Sequence, residues 1–137
     1  MKQINVDSFR SLTELKYLYL NSNNLACLDA SLFSNLTKLQ ELKVHSNSLA
    51  SLATNQFQGL FNLQRLDLYR NQLTALSPNQ FQGLVNLQNL GLNNNRLTAL
   101  SSNQFQGNLL FEQQSIFHIF TKSFSSFSQF ERIKFEQ

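Results

Sequence analysis

Residues 63–107 read LQRLDLYRNQLTALSPNQFQGLVNLQNLGLNNNRLTALSSNQFQG. The stretch is two copies of one unit, because Leu63, Leu66, Leu68, Asn71, Leu73, Leu76 and Phe81 return 24 residues later as Leu87, Leu90, Leu92, Asn95, Leu97, Leu100 and Phe105. The same frame extends backwards. Leu15 and Leu39 precede Leu63, Leu18 and Leu42 precede Leu66, and Leu20 and Val44 precede Leu68. Asn23 and Asn47 precede Asn71, Leu25 and Leu49 precede Leu73, Leu28 and Leu52 precede Leu76, and Phe33 and Phe57 precede Phe81. Leu36, Leu60 and Leu84 follow the Phe column, and Ile4, Phe9 and Leu12 supply a half unit in phase at the start. Internal repetition at such a period is the signature of a solenoid.

Each column has a physical role. Leu-x-Leu alternates with period two, which predicts a short strand with one buried face. About 20 residues separate one strand from its equivalent, enough for the crossover that a parallel pair needs. Successive strands therefore stack as a parallel sheet. The Asn column stands where the chain leaves the strand. An amide there satisfies backbone donors and acceptors of its own and neighbouring coils. The Phe column fills the wide part of each coil on the opposite side. One unit cannot bury its own leucines; stacking buries them.

The unit LxxLxLxxNxLxxLxxxxF, carried four times between about Ile4 and Gly107, resembles the leucine-rich-repeat family in its 24-residue typical class. Units such as LTKLQELKVHSNSLASLATNQFQGL are similar to those of variable lymphocyte receptors, Toll-like receptors and Slit proteins. The resemblance implies an α/β right-handed solenoid. A short parallel sheet lines its concave face, and loops or short helical turns form its convex face. It further implies an extracellular, receptor-like recognition module. Asp29, Ala53, Ser77 and Ser101 stand where the family usually places proline; the one proline, Pro78, lies a residue later. The cysteine-rich caps usual in extracellular members have no counterpart, since Cys27 is the single cysteine.

Comparison of the two best-matched units identifies a variable face. Leu63–Gly83 and Leu87–Gly107 differ only at Arg65/Asn89, Asp67/Gly91, Tyr69/Asn93, Arg70/Asn94, Gln72/Arg96 and Pro78/Ser102. Five of these six lie at or just after the expected strand, on positions that alternate with buried leucines. Across four units they form rows: Tyr17, Glu41, Arg65, Asn89; then Tyr19, Lys43, Asp67, Gly91; then Asn21, His45, Tyr69, Asn93; then Ser22, Ser46, Arg70, Asn94. Neighbours in a row are expected about 4.8 Å apart. Tyr and Arg are enriched at protein interfaces. The candidate binding residues are therefore Tyr17, Tyr19, Asn21, Glu41, Lys43, His45, Arg65, Asp67, Tyr69, Arg70, Asn89 and Asn93. The alternative is internal: Glu41 beside Arg65 and Lys43 beside Asp67 could be cross-strand ion pairs, and Tyr17 and Tyr19 simply strand formers.

Other chemistries find little support. His45 and His118 are the only histidines, without a second metal-type ligand at useful spacing. Cys27 falls in a column with Ser51, Ala75 and Ala99, which reads as a small packed side chain rather than a nucleophile. No metal, cofactor or catalytic constellation is expected. The charge of +3 over 137 residues is not a clustered basic footprint, so nucleic acid is not the expected partner. No run of 18 apolar residues predicts a membrane span. Met1–Val6 lacks the apolar stretch of a secretory leader. That points inside the cell while the repeat type points outside, so the compartment is open. Asn35-Leu36-Thr37 is a glycosylation sequon if the chain is secreted.

The period breaks after Gly107, and residues 108–137 are rich in Phe and Ser. Phe117, Phe120, Phe124 and Phe127 fall at helical spacing. This tail reads as a helical cap over the last coil, as an amphipathic partner-binding segment, or as an aberrant C-terminus. The expected organisation is a solenoid over 1–107 and a tail over 108–137. Its expected function is non-catalytic binding of a protein or glycan on the concave face. The alternative is a structural fragment of a larger leucine-rich-repeat receptor.

Overall fold

The computed structural model describes residues 2–98. The expected tail helix, His118 and the last columns of the fourth unit lie outside the described residues. Four strands of three residues each follow one short 3-10 helix, η1 (Val6–Phe9). They are β1 (Tyr17–Tyr19), β2 (Glu41–Lys43), β3 (Arg65–Asp67) and β4 (Asn89–Gly91). The sheet is parallel with strand order β1-β2-β3-β4. Its register is the sequence period: Leu18, Leu42, Leu66 and Leu90 pair in line. The expected parallel solenoid is therefore the observed one.

The central leucine of each strand points inward and is buried. Behind it lie the buried columns Val44–Leu68–Leu92 and Leu25–Leu49–Leu73–Leu97. Phe33, Phe57 and Phe81 close the core on the far side, with Phe57 and Phe81 stacked at 6.3 Å between ring centroids. That far side is built from turns. Backbone bonds such as Leu32 N–H to Asp29 C=O and Leu36 N–H to Phe33 C=O recur one coil later as Gln56 to Ala53 and Leu60 to Phe57. Three-residue strands and single turns hold little structure by themselves, so the coils depend on their neighbours. At the start, Ile4 and Phe9 pack against the first coil, and Lys2 makes a parallel bridge to Leu25.

Asparagine supplies the lateral tie. Asn47 Oδ1 accepts from the backbone N–H groups of Asn23 (3.0 Å) and Leu25 (2.9 Å) in the coil before it. Its Nδ2 donates to Leu20 C=O of that coil and to Val44 C=O of its own. Asn71 repeats the pattern with Leu49 N–H, Val44 C=O and Leu68 C=O, and Asn95 with Leu73 N–H, Leu68 C=O and Leu92 C=O. Asn23 is different: its Nδ2 reaches only Leu20 and Asn21 C=O of its own coil.

A second polar column escaped the sequence reading. Gln56 and Gln80 are buried, and each donates Nε2 at 2.7 Å to a carbonyl of the preceding coil, Asp29 and Ala53 respectively. Gln80 Oε1 accepts from the Ser77 hydroxyl at 3.0 Å. Gln56 has Ala53 at the equivalent place, and Gln56 Oε1 is buried without a hydrogen-bond partner.

Two stability outcomes are expected, both measurable by urea unfolding. Asn71→Ala strands buried carbonyl and N–H groups and costs about 2–4 kcal/mol, whereas Asn23→Ala costs about 1 kcal/mol or less. Ala53→Ser gives Gln56 Oε1 a donor and raises stability by about 1 kcal/mol.

Candidate recognition face

The outward side chains of β1–β4 and of the residues just after them lie on one surface, in the register read from the sequence. Tyr17 and Tyr19 on the edge strand β1 are 55% and 53% exposed. Glu41 and Lys43 on β2 are half-buried, while Arg65 on β3 and Asn89 on β4 are exposed. Beyond the strands, Asn21, His45, Tyr69 and Asn93 are half-buried, and Ser22, Arg70 and Asn94 are exposed. Asp67 is the exception: only 4% of it is exposed, beneath its neighbours rather than on the surface.

Of the two cross-strand pairs that register suggests, Glu41–Arg65 forms and Lys43–Asp67 does not, and each basic residue also bonds a carboxylate on its own strand. Lys43 Nζ bonds Glu41 at 3.0 Å, two residues back on its own strand, and not Asp67. Arg65 Nε likewise takes Asp67 Oδ2 at 3.0 Å within β3 and stands 3.9 Å from Glu41 Oε1. Residues i and i+2 share a face of one strand, so a long side chain reaches its own strand-mate as readily as its cross-strand neighbour. Tyr19 O–H donates to Glu41 at 3.2 Å, and Lys43 Nζ sits 4.4 Å from the centre of the Tyr19 ring. The Lys43 ammonium bonded to Glu41 holds that carboxyl below its usual range, and Glu41 in turn raises Lys43. The hydrogen bond that Arg65 donates to the Asp67 carboxylate raises Arg65. Two cations and two anions thus pair with one another in the middle of the face, with other groups around them.

Those groups are rings, amides and one arginine. His45 and Tyr69 stack in parallel, 4.2 Å between centroids and 8° between planes. Partial burial pushes the His45 imidazole below its ordinary pKa, against the pull of Asp67. Its neutral form is therefore favoured at neutral pH. Gly91 accommodates the stack, since a Cβ there would lie 3.0 Å from Tyr69 Cδ1.

The fourth row has a backbone feature invisible to hydropathy. Ser22, Ser46, Arg70 and Asn94 all adopt left-handed φ, at 60°, 55°, 53° and 57°. The turn after each strand imposes this conformation, and Asn tolerates it best among residues with a side chain. The Asn at position 94 was the one available signal. Arg70 holds it at a cost of about 1 kcal/mol, and its guanidinium makes no hydrogen bond or ion pair within the described residues. Arg70→Asn should therefore raise the unfolding midpoint, by about 0.5–1 kcal/mol in free energy. Thermal denaturation checks this.

Among the described residues, no group of three or more His, Cys, Asp or Glu can hold a metal, and no helix is long and apolar enough to cross a membrane. Cys27 is a free, half-buried thiol. The leucine rich repeat family model matches residues 1–49 and 37–97, and a BspA type leucine rich repeat region model matches residues 70–137. No curated protein sequence matches the chain. Among solved structures, the TLR13–ssRNA13 complex is similar with 38% identity and a TM-score of 0.67, over 72% of this chain and 14% of that one. The APL1 leucine-rich repeat domain is similar with 26% identity and a TM-score of 0.75, over 78% and 28%. The LRIM1/APL1C complex is similar with 26% identity and a TM-score of 0.76, over 79% and 20%. The chain thus spans between 14% and 28% of the length of these three. With its 24-residue register, parallel sheet and family-model match over residues 1–97, the chain belongs to the leucine-rich repeat family.

Proposed function

We propose that the chain is a non-catalytic recognition module that binds a macromolecular ligand, a protein or a glycan, across the open face of its sheet. The contact residues are Tyr17, Tyr19, Asn21, Glu41, Lys43, His45, Arg65, Tyr69, Arg70, Asn89 and Asn93. Asp67 serves them from beneath by holding Arg65. The carrying observation is that two adjacent coils keep their buried positions almost letter for letter and change five positions on or beside this face. Exposed Tyr17 and Tyr19 and the unengaged Arg70 supply the side-chain types on which interfaces concentrate their energy.

The low net charge argued against nucleic acid, but that exclusion loses its support. A structural neighbour with 38% identity is a complex with single-stranded RNA. RNA therefore stands beside protein and glycan in any screen of this face. A second reading is favoured by the short coverage of the neighbours, at most 28% of the three described. In it the chain is a piece of a longer receptor, and its face is one segment of a larger one.

The test immobilises the full chain and screens it against arrays of secreted proteins, glycans and single-stranded RNA. Each captured ligand is then titrated against Tyr69→Ala/Arg70→Ala and against Phe61→Ser, an exposed position off the sheet. The double substitution is expected to weaken capture by about tenfold or more with Phe61→Ser unaffected. Capture that survives the double substitution, or that Phe61→Ser removes instead, contradicts the assignment.

A further inference from the structure

Between Asp67 and Glu112 the sequence holds two charged side chains, Arg70 and Arg96, and no acid. Both stand just past a strand, where the chain leaves the sheet, on the seam between the third and fourth coils. Arg70 N–H bonds Asn93 C=O at 2.9 Å, and Arg96 N–H bonds Leu73 C=O at 2.8 Å. Each arginine is therefore fixed through its backbone to the other's coil. Asn95 ties the same seam from within, accepting from Leu73 N–H at 3.1 Å. Arg70 and Arg96 are exposed, and neither guanidinium makes an ion pair or hydrogen bond among the described residues. Earlier in the chain the charges are mostly compensated. Lys43 and Arg65 each bond a carboxylate at 3.0 Å, and Arg10 and Lys38 pair with Asp7 and Glu14. The other two unpaired cations among the described residues, Lys2 and Lys16, both precede β1. Arg96 lies two places beyond the last row read from the sequence, so those rows left it out.

We propose that Arg70 and Arg96 form a cationic lip that docks an acidic segment of a protein ligand, one carboxylate to each guanidinium. The proposal rests on the reading of the open face as a recognition surface. It adds Arg96 to that surface and names the chemistry of the partner there. A guanidinium presents paired donors in a planar fork that matches a carboxylate. Gln72, Asn93 and Asn94 border the two arginines, and none of their amides bonds a described residue. Amides both donate and accept, which is what the backbone of a peptide laid along the seam requires. A basic lip without an acid of its own also steers an acidic partner and opposes a basic one. A nucleic acid strand fits less well. It carries a phosphate at every nucleotide and is held by a run of cations. Here the next cation along the face, Arg65, is already bonded to Asp67. Two isolated arginines suit two carboxylates.

The test is fluorescence anisotropy of labelled probes titrated with the full chain at about 50 mM salt, where screening is weak. The probes are a short peptide of alternating Glu and Ser, its Gln/Ser counterpart and a single-stranded oligouridylate. The Glu/Ser peptide is expected to bind and the Gln/Ser peptide to stay free. Arg70→Gln/Arg96→Gln should weaken the Glu/Ser peptide by about tenfold or more, and about 500 mM salt should weaken it similarly. Lys2→Gln/Lys16→Gln removes the same charge elsewhere and should change binding by less than about twofold. Circular dichroism melts confirm that each variant is folded. No binding of the Glu/Ser peptide, or an equal loss in the two double variants, overturns the assignment. So does oligouridylate binding that Arg70→Gln/Arg96→Gln abolishes while the Glu/Ser peptide stays silent. The recognition reading falls separately: it fails when ligands captured by the chain are indifferent to Tyr69→Ala/Arg70→Ala. Captured ligands that respond to that pair but not to Arg96→Gln leave the recognition reading standing and overturn the lip.

Discussion

The structure depends on bonds between equivalent residues one coil apart. Among the described residues no strand exceeds three residues, so none is stable without its neighbours. Three sets of lateral bonds fix the spacing: the sheet ladder, the Asn47–Asn71–Asn95 series and the buried glutamines. A fourth set, the second made by backbone alone, runs from Ser48, Gln72 and Arg96 N–H to the Leu25, Leu49 and Leu73 carbonyls. Each asparagine satisfies donors and acceptors that the turn would otherwise bury unpaired, a cost of about 1–3 kcal/mol per group. This explains why Asn holds its column unchanged while residues one and two places earlier vary.

Because the lateral bonds use backbone and inward side chains, the outward side chains are released from holding the fold. Tyr17, Arg65 and Asn89 are exposed, and surface ion pairs of the Glu41–Lys43 kind contribute little stability. A scaffold of this kind accepts new side chains at the face one coil at a time. The strain at Arg70 and the fit of Tyr69 over Gly91 show where this chain has used that freedom.

Much of this was legible in the sequence. The strand positions, their register, the buried Leu and Phe columns and the role of Asn follow from a period of 24, because each rests on one residue type recurring in place. The rows of the face were legible for the same reason. What was not legible depends on how neighbouring side chains differ in reach. Asp67 is buried because Arg65 and Tyr69 cover it and Gly91 does not push them away. Lys43 turns to Glu41 because its own strand-mate is in range. The left-handed turn at Ser22, Ser46 and Arg70 is imposed by the coil and carries no hydropathy signal, and Gln56 and Gln80 look like surface residues until their carbonyl partners are seen.

The central claim is that face and scaffold are separable. The direct measurement makes coil three a copy of coil four by Arg65→Asn, Asp67→Gly, Tyr69→Asn and Arg70→Asn in one chain, followed by urea unfolding beside the parent. The account predicts a cooperative transition within about 1 kcal/mol of the parent, since the buried leucines, the asparagine series and the backbone bonds between coils are untouched and only the His45–Tyr69 stack and the Arg65 ion pairs are lost. Loss of cooperativity, or destabilisation by about 3 kcal/mol or more, would show that the face holds the fold and contradict the account.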